Sequence, residues 1–175
     1  MRAGGSKTKG NAHEWVVAKA LGKALFEDPS AFIRSPGSGA LHTIRNIMGT
    51  VGKGDICVAG DVIQVRHMDK FMFPYSIECK AWKEFKIIDL LLKNEKSIAY
   101  KAWLQAVRDA ESVGRFPLLV FKENRKQIMV AHRYLDAGDG YISEVKGDHI
   151  GNNELEVYTF EEFLGRWESM HEVYR

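Results

Sequence analysis

A chain of 175 residues, 45% hydrophobic and 27% charged, is long enough to bury one core and too apolar to be a disordered tether. No apolar run approaches the roughly 18–20 residues of a membrane span, and Met1–Asn11 is polar and basic without the apolar centre of a secretion signal. A single intracellular, cytoplasmic domain without membrane contact is expected; the net charge of +2 is too small to establish a nucleic-acid partner on its own.

In chain order, residues 12–26 place Trp15, Val16, Ala18, Ala20, Leu21, Ala24 and Leu25 at helical spacing among good helix formers, which predicts a first helix. Ala31–Ser35 is a short strand candidate, ended by Pro36-Gly37-Ser38-Gly39. Residues 40–53 have no clean period, and Gly49, Gly52 and Gly54 suit a loop that could contact a ligand. Asp55–Ala59 and Tyr75–Lys80 read as an antiparallel pair of strands from their β-branched and aromatic content, joined through an excursion around His67–Phe71. Helical patterning returns over Glu84–Lys93 and Ser97–Val113, with Gly114 in the position of a C-terminal stop. Phe116–Phe121 and Gln127–Ala131 are further strands around a charged turn at Lys122–Lys126. Leu155–Tyr158 is a weak strand and Phe160–Met170 a last helix. The expected architecture is α/β, a restriction-endonuclease-like central mixed sheet of about five strands flanked by helices. Its core spans about 9–131, and a segment from 134 to 175 completes the fold or a dimer contact.

The chemistry concentrates in Gly54-Asp55-Ile56 and Ser76-Ile77-Glu78-Cys79-Lys80. Charged groups inside apolar strands are costly unless they pair or bind metal. Residues two apart on a strand share a face, so Glu78 and Lys80 project together while Ile77 and Cys79 face the other way. A hairpin turning near residue 67 would bring Asp55 opposite position 79 and beside Glu78. Two carboxylates offer the hard oxygen donors that Mg²⁺ prefers, and Mn²⁺ could substitute. Such an ion acidifies a bound water and neutralises charge on a phosphate, while Lys80 orients the water or stabilises the anionic transition state. Lys7, Lys9, Arg34, Arg45 and Lys53 precede or flank Asp55, and acids crowd the last third from Asp136 to Glu172; a basic approach to an acidic centre suits a polyanionic substrate.

Gly54-Asp55 followed by Glu78-Cys79-Lys80 resembles the PD-(D/E)xK nuclease signature, with glycine in place of the proline. Lys9-Gly10 and then Glu14, Arg34-Ser35-Pro36-Gly37-Ser38, Ile77-Glu78-Cys79-Lys80 and Val113–Lys122 together resemble the archaeal-type Holliday junction resolvases, over roughly Lys9 to Ala131. The resemblance implies a Mg²⁺-dependent endonuclease that nicks four-way DNA junctions as a homodimer. It implies Glu14 as a further acidic ligand beside Asp55, Glu78 and the Cys79 carbonyl. It also implies contacts from Arg34 and Ser38 to the DNA backbone, and Gln105 resembles an accessory glutamine of the wider nuclease superfamily; Lys9, Ser35, His42, Arg45 and Lys53 are further candidates for DNA contact. Two features depart from the pattern: Trp15 stands where a basic residue is common, and the loop from Ser38 to Asp55 is longer than usual.

Other readings stay open. The same centre could serve a restriction-like or repair nuclease on linear or flap DNA, or the fold could be a non-catalytic DNA-binding module. Gly49–Gly54 is not a phosphate-binding P-loop, since Ile47 occupies the first glycine position and Gly54 the Ser/Thr position, so no nucleotide cofactor is expected. Cys57 and Cys79 read as buried thiols with no zinc spacing. The histidines, His13, His42 and His67 among them, lack metal spacing and read as surface or loop residues. Trp82, Trp103, Phe85 and Tyr100 read as core or dimer-interface aromatics.

Overall fold

The computed structural model describes residues 5–35, 60–65, 73–133 and 155–173, with side chains described over 10–35, 60–65, 73–132 and 155–166. In chain order these form α1 (Gly5–Phe26), β1 (Phe32–Arg34), β2 (Val62–Gln64), β3 (Tyr75–Trp82), α2 (Ile87–Leu91), α3 (Ile98–Glu111), β4 (Phe116–Glu123), β5 (Ile128–Arg133), β6 (Leu155–Thr159) and α4 (Phe160–Val173). The strands make one mixed sheet in the order β1-β2-β3-β4-β5-β6, six strands where the sequence suggested about five. The additional strand is β2, whose pattern had been absorbed into the excursion before Tyr75. The Asp55–Ala59 candidate lies outside the described residues.

Each helix follows from local chemistry. α1 begins at Gly5, earlier than the apolar pattern indicated, because its first turns are polar in sequence and carry no periodic apolar signal. Ser97 caps α3, its hydroxyl accepting the Tyr100 amide at 3.1 Å. Gly114, at φ +63°, releases the chain after α3 into β4. α2 is only five residues, shorter than the Glu84–Lys93 pattern, and most of its apolar side chains remain exposed.

β3 and β4 are parallel neighbours over their full lengths, from Tyr75 opposite Phe116 to Trp82 opposite Glu123. Parallel strands need a long crossover, and α2 with α3 supplies it. Strands covered on both faces read as continuous apolar runs, and β4 is one. Leu118 and Val120 join Val17, Leu21, Phe32, Ile77, Cys79 and Phe163 in a core beneath α1 and α4. Leu119 and Phe121 join Leu90, Ala102, Trp103 and Ala106 beneath α2 and α3. On the second face Trp82 stacks on Phe85 at 4.9 Å and Phe85 on Phe121 at 4.2 Å, which pins the end of β3 to its neighbour. Trp103 is buried in this core, and Trp82, Phe85 and Tyr100 pack half-buried against it, where the sequence offered core or dimer interface.

Two histidines differ from expectation. His13 is 5% exposed, its Nε2 3.3 Å from the Val120 carbonyl, and burial lowers its pKa. His132 is also buried, between Tyr75 and Tyr158. Burial of an imidazole requires only a hydrogen-bond partner, which metal-ligand spacing does not reveal.

β2 meets β3 only briefly, with Val62 opposite Ile77. Just before it, Gly60 has φ +93° and lies so close to β3 that a Cβ there would sit 2.5 Å from the Ile77 carbonyl oxygen. Only glycine takes that dihedral freely and leaves room for the approach. Gly60→Ala is expected to lower stability by about 1–3 kcal/mol, read from the midpoint of urea unfolding; an unchanged midpoint would mean that the chain can leave β3 at no cost.

Candidate functional site

Glu78 and Lys80 project from one face of β3 and Ile77 and Cys79 pack into the core on the other, as strand alternation requires. Their neighbours on β4 are Leu119 and Phe121, so the charged pair emerges on the α2 and α3 side. Glu78 is only 4% exposed. Lys80 donates a hydrogen bond to its carboxylate, which keeps the buried charge from standing alone.

The acid placed beside this pair is Asp61. Continuing the β2–β3 register by one residue puts Asp61 opposite Glu78. Three hydrogen bonds fix it: its amide donates to the Ile77 carbonyl at 2.7 Å, its carbonyl accepts the Ser35 amide at 2.7 Å, and its carboxylate accepts the Cys79 amide at 2.9 Å. The last bond has a simple origin. Alternate β3 amides point away from β4, and beyond the short β2 pairing the Cys79 N–H meets a carboxylate where a longer strand would have offered a carbonyl.

From the other face, α1 contributes Glu14, whose carboxylate accepts a hydrogen bond from Arg34 Nε at the end of β1. The Cys79 thiol is pushed up by burial and then by the charges of Asp61, Glu14 and Glu78. Burial raises the Asp61 carboxyl, partly offset by the Cys79 amide and Lys80. Burial and then the Asp61 charge raise Glu78 to about 7 despite its bond to Lys80. Lys80 is lowered by burial but raised more by Glu78 and Asp61, so its net shift is upward.

Of the remaining sequence candidates, Ser35 is held through its amide by Asp61. Gln105 is half-buried on α3, one turn before Asp109, whose charge reaches Glu78. Lys9 lies on α1 with its side chain outside the described set. Asp55, Ser38, His42, Arg45, Lys53 and Cys57 lie outside the described residues. Asp61 was missed by sequence reasoning because Gly60-Asp61-Val62 repeats the form of Gly54-Asp55-Ile56 six positions later. The available signal was the β-branched run Val62-Ile63 behind it, a strand that meets β3 with Val62 opposite Ile77.

Among the described residues no three carboxylate, histidine or cysteine side chains form a ready metal cage. Glu14 is turned to Arg34, and Glu78 to Lys80. The donor chemistry nonetheless fits a hard divalent cation, since burial and then the Asp61 charge hold back ionisation of Glu78, and a bound cation offsets both.

A mixed α/β sheet with an acid, a glutamate and a lysine at the edge of its parallel pair has the layout expected of a PD-(D/E)xK endonuclease. The chain belongs to that class: the family described as "Phage putative PDDEXK endonuclease" matches residues 5–174. Among curated proteins it is similar to Protein D14 of Escherichia phage T5, 31% identical over 136 residues that cover 75% of this chain and 76% of that protein. No solved structure matches. The family is thus a phage endonuclease family, and the archaeal-type junction resolvases stay a resemblance of motifs.

The raised Glu78 gives a pH signature. An ordinary glutamate titrates near 4.5 and Glu78 near 7, so the folded state holds the proton more tightly than the unfolded chain. The contribution of Glu78 to the stability of the metal-free protein should therefore be fully present below about pH 4.5 and be lost between about pH 4.5 and 7, by on the order of 3 kcal/mol. Glu78→Gln should flatten that fall and exceed wild type in stability at pH 8 when unfolding is followed in EDTA. A wild-type protein that gains stability across the window would contradict the assignment.

Proposed function

We propose that the chain is a metal-dependent endodeoxyribonuclease whose centre is Asp61, Glu78 and Lys80 with Glu14 beside them, residues 1–175 acting as one nuclease unit. The observation that carries this reading is the Asp61 carboxylate on the Cys79 amide, next to the buried Glu78–Lys80 pair. Asp61 and Glu78, with the Cys79 carbonyl and Glu14, would hold Mg²⁺ or Mn²⁺. When bound, the ion supplies Lewis-acid neutralisation of the phosphate and acidifies water.

The protein's own residues do the rest. Lys80, protonated beside two acids, is placed to orient water and to balance charge as the phosphate becomes more anionic. Arg34 holds Glu14 and stands at the end of β1 with part of its side chain exposed, where it can also meet a phosphate oxygen. Gln105 on α3 and the basic Lys9, Arg45 and Lys53 extend the same DNA contact, with Ser35, Ser38 and His42 at the phosphate backbone. Four-way junctions, cut by a homodimer, are the substrate favoured by the motif order from Lys9 to Lys122.

The test is cleavage of a labelled four-way junction, a flap and a linear duplex in Mg²⁺. Asp61→Asn and Glu78→Gln should each lower the rate by about 10²-fold or more, and Lys80→Ala by a similar factor with DNA binding retained. Asp55→Asn, run in parallel, decides between the two Gly-Asp sequences: a loss equal to that of Asp61→Asn would give Asp55 a share in the centre. Symmetric nicks in the junction alone make the enzyme a resolvase. Equal cutting of all three keeps the nuclease and discards junction selectivity, and binding without cutting makes the chain a DNA-binding module.

A further inference from the structure

Trp15 is 47% exposed and Val16 52% exposed on α1, although the opposite side of that helix buries Val17, Ala18 and Leu21 completely. A tryptophan is ordinarily among the most buried residues on average, so a half-exposed one beside a candidate site calls for an occupant. Ala12, Trp15, Val16, Lys19 and Lys23 recur at helical spacing and are all exposed, forming one stripe. It begins next to Glu14, one residue before Trp15, which reaches Arg34 at the site.

Charge identifies the occupant. α1 carries Lys7, Lys9, Lys19 and Lys23 against a single acid, Glu14. α4, which packs on the same face of the sheet, carries Glu161, Glu162, Glu168 and Glu172 against Arg166. The exposed apolar residues in and just after α2, Ile87, Ile88, Leu91 and Leu92, stand among charges of both signs and favour no ligand. An aromatic ring on a basic helix beside a phosphodiesterase centre matches a nucleic acid that offers an open base face: the lysines meet phosphates, and the indole stacks on the base.

We infer that Trp15, backed by Lys19, is a stacking platform for an unpaired base next to the cleaved phosphate, and that it selects DNA whose duplex is interrupted there. The inference rests on the nuclease reading and deepens it. In an intact duplex the base faces are covered by their neighbours, so the indole finds no partner. At a fork, flap or junction point a base can leave the stack and lie against the helix. Trp15 acts on selectivity and touches none of the reacting atoms.

The experiment measures binding of a fork with an unpaired arm and of a blunt duplex of equal length, in EDTA, for wild type, Trp15→Ala, Trp15→Phe and Lys19→Ala. Trp15→Ala should weaken fork binding about tenfold or more and leave duplex binding within about twofold; Trp15→Phe, which keeps a ring, should retain most of the fork preference. Lys19→Ala should weaken both DNAs alike and reduce the salt dependence of binding. Fork affinity unchanged in Trp15→Ala overturns the inference. So does equal loss on fork and duplex, or a change in sedimentation from dimer to monomer, which would give the stripe to a second copy of the chain. Should Trp15→Ala unfold, as circular dichroism would reveal, the comparison rests on Trp15→Phe and a Trp15→Leu variant that keeps apolar bulk without a ring. If no DNA is cut yet fork preference still depends on Trp15, the nuclease reading fails and this one stands. If cutting persists and fork preference ignores Trp15, the reverse holds.

Discussion

The candidate site depends on one unfilled strand amide. β2 is too short to pair with β3 as far as Cys79, and a buried N–H without a partner costs free energy, so that position has to be filled. Asp61 fills it with a side chain in place of a backbone carbonyl. A carboxylate is thereby fixed in the plane of the sheet, at the level where β3 sends Glu78 to one face and where Glu14 arrives from the other. Shortness of a strand, in most sheets a defect in pairing, here makes room for an acid.

That position is held from several sides. Asp61 is hydrogen-bonded to both β1 and β3, and β1 is tied to α1 through the Arg34–Glu14 pair. α1 is in turn set against the sheet by its apolar side and by the bond from His13 to the Val120 carbonyl. The carboxylates therefore belong to three separate elements that share one rigid support. Crowding them is unfavourable while each is ionised, and the protein moderates it with two basic partners and with a glutamate whose ionisation is delayed to about 7. Each of those ion pairs would have to loosen for a cation to be gripped by all the acids at once.

Much of this was legible in the sequence, and the failures have physical causes. Glu78 and Lys80 could be placed because strand alternation is local, and a charge on an apolar strand is conspicuous. The mixed α/β architecture followed from the order of helical and strand patterns. Asp61 was not legible because its place beside Glu78 is a matter of strand register: two Gly-Asp sequences precede similar apolar runs, and local patterning does not fix which register β3 takes. β2 escaped notice because three residues carry too little alternation to stand out. His13 was misplaced because one hydrogen bond across 107 residues of chain, to Val120, is what permits its burial. Glu14 was reached only through motif resemblance, and the geometry at Arg34 supplies the local reason for its orientation.

The pairing of Tyr75 with Phe116 spans the whole crossover formed by α2 and α3. Contacts between residues so far apart in sequence form late, because closing the intervening loop costs entropy before the strand pairing returns any stabilisation. Among the described residues β4 is the inner sheet neighbour of β3, so Glu78 and Lys80 take their fixed positions only once that crossover has closed, and Asp61 has no ordered Cys79 amide to hold before then. A nascent or partly folded chain is thus a collection of separated acids and lysines, and the assembled centre exists only once synthesis has passed β4 and the crossover has closed.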